Sequence, residues 1–353
     1  AALVAGFRPL PLVPTGPSRL LETRGGNNTT IDGRFEGDGA RAAGTFIELQ
    51  VAGRPGIPAD AAAAMLNVTA IAPDRAGHIT VWPCDPERPT ASNLNYVLDQ
   101  VVANSVLAKL NASGRVCIYT HARMHLVVDV TAYLPDDSAL RTLLPARLLE
   151  TRGGTNTTVD GVYEGQGPRP ARSQITLEVA GRGGVPPDAV AAMLNVTAIA
   201  PDGAGHITVW PCDGDPPVAS NLNYTTGQVV PNAVFAPLNA DGNVCIYTHA
   251  STHLVVDVSG ALAPGSRIFT VPPARLLETR QGPNNVTVDG AQQGFGPIGP
   301  PAMWRPVPLW RGGVSADAEL AILNVTAIAP DRPGHLTIWP CDGEPPVASN
   351  VNY

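Results

Sequence analysis

The sequence predicts an all-β fold, a tandem array of antiparallel β-sandwich domains, immunoglobulin-like or jelly-roll-like, with one disulfide in each domain. Three observations lead to this prediction. A long block of sequence recurs almost three times, apolar and polar residues alternate along many short segments, and cysteines recur at matching positions of the repeats.

The repeated block sets the expected domain boundaries. The motif RLLETR begins at Arg19, Arg147 and Arg275, so successive copies are 128 residues apart. This period exceeds the roughly 20–50 residues of a solenoid unit and suits an independently folding domain. We therefore predict a tail strand of a preceding repeat at residues 1–7, repeats at 8–134 and 135–262, and an incomplete repeat at 263–353.

The third copy stops part of the way through the repeat, because Tyr353 matches Tyr224 of the second copy. We expect the sequence to be a window of a longer array. The alternative is a subunit whose third domain is completed by a segment of a neighbouring subunit, as in strand-donating fibres.

The second copy illustrates the predicted strands in chain order. RLLETR is a short extended segment, and a loop rich in Gly, Asn and Thr follows it. Alternation in SQITLEVAG predicts a half-buried strand, and the turn VPPD leads into a second long strand, AAMLNVTAIAP. The turn DGAG then predicts a hairpin with HITVWP. The remaining predicted strands are NLNY, AVFAPL, VCIYTH and HLVVDVSG, at 221–224, 233–238, 244–249 and 253–260.

Each repeat thus has seven or eight predicted antiparallel strands and no segment of helical periodicity, which is typical of a β-sandwich. The third copy differs where AMWRPVPLW occupies 302–310. Proline cannot donate to a strand ladder, so we expect an edge or irregular strand there. Trp304 and Trp310 could make this edge a contact surface, or they could fill the core.

Composition argues against two classes of partner. The net charge is −7 and charged residues make up only 15% of the chain, which provides no basic field for nucleic acid or an anionic membrane. No stretch approaches the roughly 18 apolar residues of a membrane-spanning helix. We expect neither nucleic-acid binding nor membrane insertion.

The cysteines recur with the repeats. Cys84 and Cys117 correspond to Cys212 and Cys245, and Cys341 corresponds to the first of each pair. This pattern predicts the disulfides Cys84–Cys117 and Cys212–Cys245, with the partner of Cys341 outside the chain or in a neighbour. Zinc sites pair cysteines roughly two to four residues apart, a spacing that the sequence lacks. Disulfides predict an oxidising location, extracellular or at the cell surface.

The motifs PARLLETR, LNVTAIAP, ASNLNY, GQVVPN, VCIY and THLVVDVSG together resemble a repeat of secreted, cell-surface or cell-wall-associated proteins of actinobacteria and related high-GC bacteria. The resemblance covers essentially the whole chain and is lost at 302–310. It implies an all-β domain appended in tandem to extracellular proteins, sometimes beside a wall hydrolase. It carries no catalytic signature.

One polar face in each repeat is the main candidate for binding. If LNVTAIAP and HITVW form a hairpin, their alternating Asn, Thr, His and Trp side chains share one side of a sheet. Such a face could stack sugars or seat the adjoining repeat, whereas Trp210 could simply pack against the Cys212 bridge. The candidate residues are Asn67, Thr69, His78, Thr80, Trp82, Asn195, Thr197, His206, Thr208 and Trp210, together with Trp304 and Trp310.

Metal binding has weaker support. His249 and His253 flank a short turn and could bind a transition metal together with Asp257. Histidines near turns more often form hydrogen-bonded surface or contacts between domains. We therefore predict no metal site and no cofactor.

Catalysis is also not expected. No serine lies in a nucleophile elbow such as G-x-S-x-G, and a repeated active site would be unusual. Glu150 recurs in every RLLETR motif, where pairing with Arg147 or Arg152 is the simpler role. We predict that the protein is not an enzyme.

Asn-x-Ser/Thr triplets are frequent in the chain and could carry glycans in an extracellular protein. Asn- and Thr-rich loops also produce such triplets by composition alone. The candidate glycosylation sites are the loop residues Asn28, Asn156 and Asn285.

The leading functional hypothesis is a non-enzymatic extracellular structural protein that forms or decorates a surface fibre, filament or sheath. Its partners would be adjacent repeats or copies of itself. The alternative is a carbohydrate- or cell-wall-binding repeat array, an adhesion or anchoring module that gains avidity from repeated weak sites on cell-wall polysaccharide.

Overall fold

The structure is a computed structural model that describes residues 10–352, apart from positions 28, 156, 218, 272, 284, 300–306, 309, 342, 345, 347 and 349. The predicted tail strand at 1–7 and Trp304 therefore lie outside the described residues. Most of the irregular segment expected at 302–310 lies outside them as well.

The first repeat contains eight strands. Seven of them have six to ten residues, and the strand after the loop that follows the tryptophan of WPC has only three. The strands are β1 (Val13–Glu22), β2 (Thr45–Gln50), β3 (Ala63–Ile71), β4 (Gly77–Trp82), β5 (Leu94–Tyr96), β6 (Val101–Lys109), β7 (Arg115–Thr120) and β8 (His125–Leu134).

These strands form two four-stranded antiparallel sheets. One sheet has the order β1-β8-β3-β6 and the other β2-β7-β4-β5. Two facing sheets with this order, in which most successive strands change sheet, form an eight-stranded jelly roll. The predicted all-β sandwich is confirmed, and of its two predicted forms the strand order matches the jelly roll.

The second repeat has the same architecture. One of its sheets has the order β9-β16-β11-β14 and the other β10-β15-β12-β13. Its strands are β9 (Leu140–Glu150), β10 (Ser173–Glu178), β11 (Ala191–Ile199), β12 (Gly205–Trp210), β13 (Leu222–Tyr224), β14 (Val229–Pro237), β15 (Asn243–Thr248) and β16 (His253–Leu262).

The predicted hairpin between LNVTAIAP and HITVWP is wrong. β11 pairs with β14 and β16, whereas β12 pairs with β13 and β15. The turn between β11 and β12 carries the chain from one sheet to the other, because both strands must place an apolar face in the same core. Pairing with distant strands satisfies their backbone hydrogen bonds instead.

The core of each sandwich consists of the inward-facing residues of both sheets. In the second repeat, Leu194 and Val196 of β11 meet Ile207 and Val209 of β12 in one buried cluster. The equivalent residues of the first repeat occupy an equivalent cluster. The period-two alternation therefore identified the inward faces correctly, although it did not identify the strand partners.

The predicted disulfides Cys84–Cys117 and Cys212–Cys245 are confirmed, with Cα atoms 4.9 Å apart in each bridge. Each bridge links the end of a WPC segment to the neighbouring strand. Cys341 is an exposed free cysteine.

The RLLETR segment is held by ion pairs, as predicted. Glu150 is fully buried; its carboxylate accepts hydrogen bonds from the guanidinium groups of Arg147 (3.1 Å) and Arg152 (2.7 and 2.8 Å). Equivalent pairs surround Glu22 and Glu278. A buried carboxylate needs such partners to remain charged.

The third repeat is less regular within the described residues after 262. It contains one pair of short strands, β17 (His335–Leu336) and β18 (Val351–Asn352). Leu320, Ile322 and Leu323 are each more than a third exposed, whereas their counterparts in β11 are buried. The strands that cover those counterparts, β14 to β16, have no equivalent in this sequence. In the part of the chain that the structure describes, no helix is long and apolar enough to cross a membrane.

Candidate functional site: the interface between repeats

The predicted polar face does not exist as one surface. Because β11 and β12 belong to opposite sheets, Asn195 and Thr197 lie on the outer face of one sheet. His206, Thr208 and Trp210 lie on the outer face of the other. The same separation holds for the equivalent residues of the first repeat. The two halves of the predicted face therefore have different environments.

The half on β11 lies between the first and second repeats. Asn195 is buried, and both polar atoms of its side-chain amide form hydrogen bonds. Its Nδ2 donates to the carbonyl oxygen of Ser92 at 2.6 Å, and its Oδ1 accepts from Nδ2 of Asn104 at 2.8 Å. Both partners belong to the first repeat, so this asparagine binds the two sandwiches together.

Asn104 of β6 forms the reciprocal half of this contact. Its Oδ1 accepts a hydrogen bond from the backbone N–H of Ala233 in β14 at 2.9 Å. Beside it, Nδ2 of Asn95 lies 3.4 Å from Oγ1 of Thr197. Buried amides satisfied in this way on both atoms fix the relative register of the surfaces that they join.

A buried charge adds to the same interface. Asp257 of β16 accepts a hydrogen bond from the backbone N–H of Ser92 at 3.0 Å, and Nε of Arg147 donates to it at 2.9 Å. Burial raises the pKa of the Asp257 carboxyl, and the neighbouring guanidinium of Arg147 opposes this shift. The pairing with Arg147 compensates part of the cost of desolvating the carboxylate.

An apolar cluster accompanies the polar contacts. Leu107 and Leu134 of the first repeat pack with Met193 and Leu262 of the second in one buried group. A cluster shared by two sandwiches removes apolar surface from water only when the sandwiches are in contact. The repeats are therefore packed against each other and are not separated by a flexible linker.

The second and third repeats make the equivalent contact. Asn232 donates from Nδ2 to Oδ1 of Asn324 at 2.9 Å, and Nδ2 of Asn324 donates to the carbonyl oxygen of Ser220 at 2.8 Å. Nδ2 of Asn223 lies 3.4 Å from Oγ1 of Thr326. The residue types and the bonding atoms match those of the first junction position by position.

The half of the predicted face on β4 and β12 offers no open aromatic platform for a sugar. Trp82 and Trp210 are only 5% and 3% exposed. Their indole N–H groups donate to backbone carbonyl oxygens of Pro86 and Gly214. Each tryptophan lies directly opposite a disulfide-bonded cysteine of the adjacent strand. The two rings therefore pack beside the bridge, the alternative considered for Trp210.

The histidines of the same sheets pair with each other. His78 stacks on His121 and His206 stacks on His249, with ring centroids 5.3 Å apart in both repeats. Burial, followed by the charges of His121 and Arg88, lowers the pKa of His78 from 6.5 to about 4. Thr80 and Thr208 are buried, and their hydroxyls donate to backbone carbonyl oxygens.

The three weak candidates for metal ligands are not brought together. His249 stacks on His206, the Nδ1 of His253 is hydrogen-bonded to Thr151, and Asp257 is bonded to Arg147. The hairpin expected to join the two histidines is absent because β15 and β16 lie in different sheets. The only potential ligand group found among the described residues consists of Glu48 and the bonded cysteines Cys84 and Cys117.

Of the candidate glycosylation sites, Asn28 and Asn156 lie outside the described residues. Asn285 is described, and its Nδ2 donates to the backbone carbonyl oxygen of Gln281 at 2.8 Å. Trp310 is exposed and lines a surface depression together with residues 314–316 and 318–321.

Two sets of structurally important residues were not predicted from the sequence. The first set contains the donors of the interface, Asn95 in the ASNLNY motif and Asn104 in the strand after it. Both asparagines recur in the second repeat, and this recurrence could have identified them. The second set is an arginine in each repeat, which is buried in the first two repeats and half-buried in the third. Arg54, Arg182 and Arg311 bind Asp32, Asp160 and Asp289, respectively, and each also donates to a backbone carbonyl oxygen of the RLLETR segment.

Comparison with known proteins identifies no family. No protein-family profile matches the chain, and no curated protein matches its sequence significantly. The crystal structure of the major capsid protein P2 from Bacteriophage PM2 matches with 8% identity and a TM-score of 0.27, covering 71% of this chain and 98% of that chain. The N-terminal CBM22-1-CBM22-2 tandem domain from Paenibacillus barcinonensis Xyn10C matches with 12% identity and a TM-score of 0.19, over 71% of this chain and 98% of that chain.

Similarities at this level carry no functional argument. The class that the structure itself defines is a tandem β-sandwich protein with disulfide-bonded jelly-roll repeats that pack against one another.

Proposed function

We propose that this chain is a non-enzymatic extracellular structural protein whose repeats bind one another to build or decorate a surface fibre, filament or sheath. The observation that carries the proposal is the recurrence of one polar contact at two junctions. The pair Asn104–Asn195 is repeated as Asn232–Asn324.

The burial of the contact supports a structural role. At the first junction, Ser92, Asn104, Asn195 and Asp257 are buried, so each would lose hydrogen-bonding partners if the repeats separated. An unsatisfied buried polar group costs about 1–3 kcal/mol. Sandwiches joined in this way transmit force through a defined interface and not through a linker alone.

The extracellular location rests on the disulfides. Both bridges close within a sandwich, and disulfides persist in oxidising compartments. The resemblance of the repeat motifs to those of secreted and wall-associated bacterial proteins points to the same location. Glycosylation at Asn285 is compatible with that location.

The experiment compares assembly with ligand binding. The purified protein would be imaged by electron microscopy and tested for co-sedimentation with peptidoglycan and with insoluble polysaccharides. We expect compact or assembled particles in which repeats touch, and no co-sedimentation above that of an unrelated disulfide-bonded protein.

Saturable binding to one of these polymers, unchanged in an Asn104→Ala/Asn195→Ala variant, would favour the carbohydrate- or wall-binding alternative. Separated repeats in the wild-type particles would contradict the structural proposal directly.

A further inference from the structure

The third repeat contacts the first. Asn352 of β18 donates from Nδ2 to Oγ1 of Thr69 in β3, at 3.2 Å, although the two residues are 283 positions apart in the chain. β18 also lies against β6 of the first repeat. A linear row of repeats would keep these two ends apart.

This contact joins the same residue types, through the same atoms, as a contact at each of the two junctions between successive repeats. Each consists of the amide Nδ2 of an asparagine in the NLNY or NVNY motif and the hydroxyl of a threonine in LNVT. The three pairs are Asn95–Thr197, Asn223–Thr326 and Asn352–Thr69. The strands agree as well, because β5 lies against β14 at the first junction just as β18 lies against β6.

Burial of the acceptor residues is consistent with closure. Thr197 is covered by the first repeat and is 1% exposed, and Thr69 is also 1% exposed. Thr69 is thus as buried as the acceptor threonine of the first junction, whereas Thr326 at the second junction is exposed.

We propose that the interface between successive repeats closes after three repeats, so that the three repeats of this chain form a ring in a single polypeptide. The partner of each repeat surface is another copy of the same repeat. This inference rests on the proposed function and specifies its partner and its stoichiometry.

The two halves are different surfaces. The donor half contains the asparagine of β5, β13 or β18, joined in the first two repeats by the asparagine of β6 or β14. The acceptor half contains the asparagine and threonine of the LNVT motif. An interface between unlike surfaces builds a closed ring when the rotations between successive neighbours add up to a full turn, and an open helix when they do not. Here the donor surface of the last repeat reaches the acceptor surface of the first.

Closure has a consequence for assembly. Once the ring forms, the donor asparagine of each repeat is bound to the acceptor threonine of another repeat, and none of these groups remains for a further repeat. A longer array of these repeats would form successive rings of three, each a compact unit on a surface structure. The interface would not extend as a continuous fibre.

The test uses pairs of cysteines in the full chain, with Cys341→Ser as the background. The closing pair is Thr69→Cys with Asn352→Cys. The positive control, Asn95→Cys with Thr197→Cys, reports the contact between successive repeats. The negative control, Asn95→Cys with Asn352→Cys, combines two donors of different junctions. Each variant is oxidised at several protein concentrations and analysed by non-reducing electrophoresis and peptide mass spectrometry.

We expect the closing pair and the positive control to form intrachain disulfides in similar yield at every concentration, and the negative control to form none. If the positive control reacts and the closing pair gives no product, or gives only dimers that increase with concentration, the ring is wrong and the contact between successive repeats remains. If neither pair reacts, both the ring and the proposed function fail.

A second measurement needs no substitution. Small-angle X-ray scattering of the wild-type protein distinguishes a compact ring from a row of three sandwiches by its maximum dimension. A maximum dimension that corresponds to three sandwiches end to end would overturn the inference even if a cysteine variant failed to fold.

Discussion

At the scale of single residues, the interface asparagines of the first and second junctions differ in their exposure to water. Asn104 is buried and donates to Asn195, whereas the equivalent bond from Asn232 to Asn324 is exposed. Water can replace a lost partner at an exposed site but not at a buried one. The same amide contact should therefore contribute differently at the two junctions.

We predict that Asn104→Ala lowers the free energy of unfolding by about 2 kcal/mol, because it leaves Oδ1 of Asn195 and the N–H of Ala233 without partners. The matched change Asn232→Ala should cost less than about 1 kcal/mol. Urea denaturation followed by circular dichroism measures both values. Equal losses for the two variants would contradict the assignment of a buried first junction.

His78 should make stability depend on pH. The folded protein holds the pKa of His78 at about 4, below the ordinary 6.5, so the unfolded chain takes up this proton first as the pH falls. The stabilising effect of the neutral ring is complete above pH 6.5 and is lost between pH 6.5 and about 4.

We predict that His78→Gln reduces the loss of stability between pH 7.5 and 4.5 by about 2 kcal/mol, the difference expected from the two pKa values after allowance for partial exposure. Guanidinium titrations of both proteins at the two pH values provide the measurement. An unchanged pH dependence would mean that the ring is protonated equally in the folded and unfolded states.

At the scale of elements, alternation predicted most strands but not their partners. Ile175 and Leu177 alternate with Thr176 and Glu178 in the sequence, and this segment is strand β10. The partners could not be predicted because a jelly roll pairs strands that are far apart in sequence. β11 lies beside β14 and β16, not beside the next strand, β12.

The disulfide should stabilise such a long-range pairing. Cys212 and Cys245 close a loop with a sequence separation of 33 residues and link the end of β12 to β15. We predict that Cys212→Ala/Cys245→Ala lowers the free energy of unfolding of the second repeat by about 3 kcal/mol. Cys341→Ser, which alters an exposed free thiol, is the control and should have no measurable effect.

Thermal unfolding monitored by differential scanning calorimetry would measure the loss. A double variant as stable as the wild type would show that the sheet, without the bridge, determines the stability of this pairing.

At the scale of the whole molecule, the first two repeats share a buried cluster and should unfold together. Gly260 lies in this interface. A Cβ atom there would lie 2.6 Å from Cδ2 of Leu107 and 3.1 Å from the carbonyl oxygen of Arg141. Packing between the repeats therefore leaves no room for a side chain at this position.

We predict that Gly260→Val separates the unfolding of the two repeats, with a loss of about 1–3 kcal/mol from overpacking. Gly153→Val is a matched control in the same repeat, since a Cβ atom there meets no neighbour within 4 Å. Calorimetry should show one joint transition for the wild type and the control, and two transitions for Gly260→Val. A single unshifted transition in all three proteins would argue against coupling through this interface.

The sequence by itself determined the repeat, the inward face of its principal strands, both disulfides and the ion pairs of RLLETR. These features depend on residue type and spacing, which repetition and period-two alternation make visible. Only the tertiary structure decided which strands are neighbours and what covers the outer face of each sheet. Leu194 and Asn195 are adjacent in the chain, but Leu194 faces the core of its own sandwich and Asn195 faces the first repeat. Alternation distinguishes two faces of a strand but cannot distinguish solvent from a second protein surface, because a polar side chain suits either when its hydrogen bonds are satisfied.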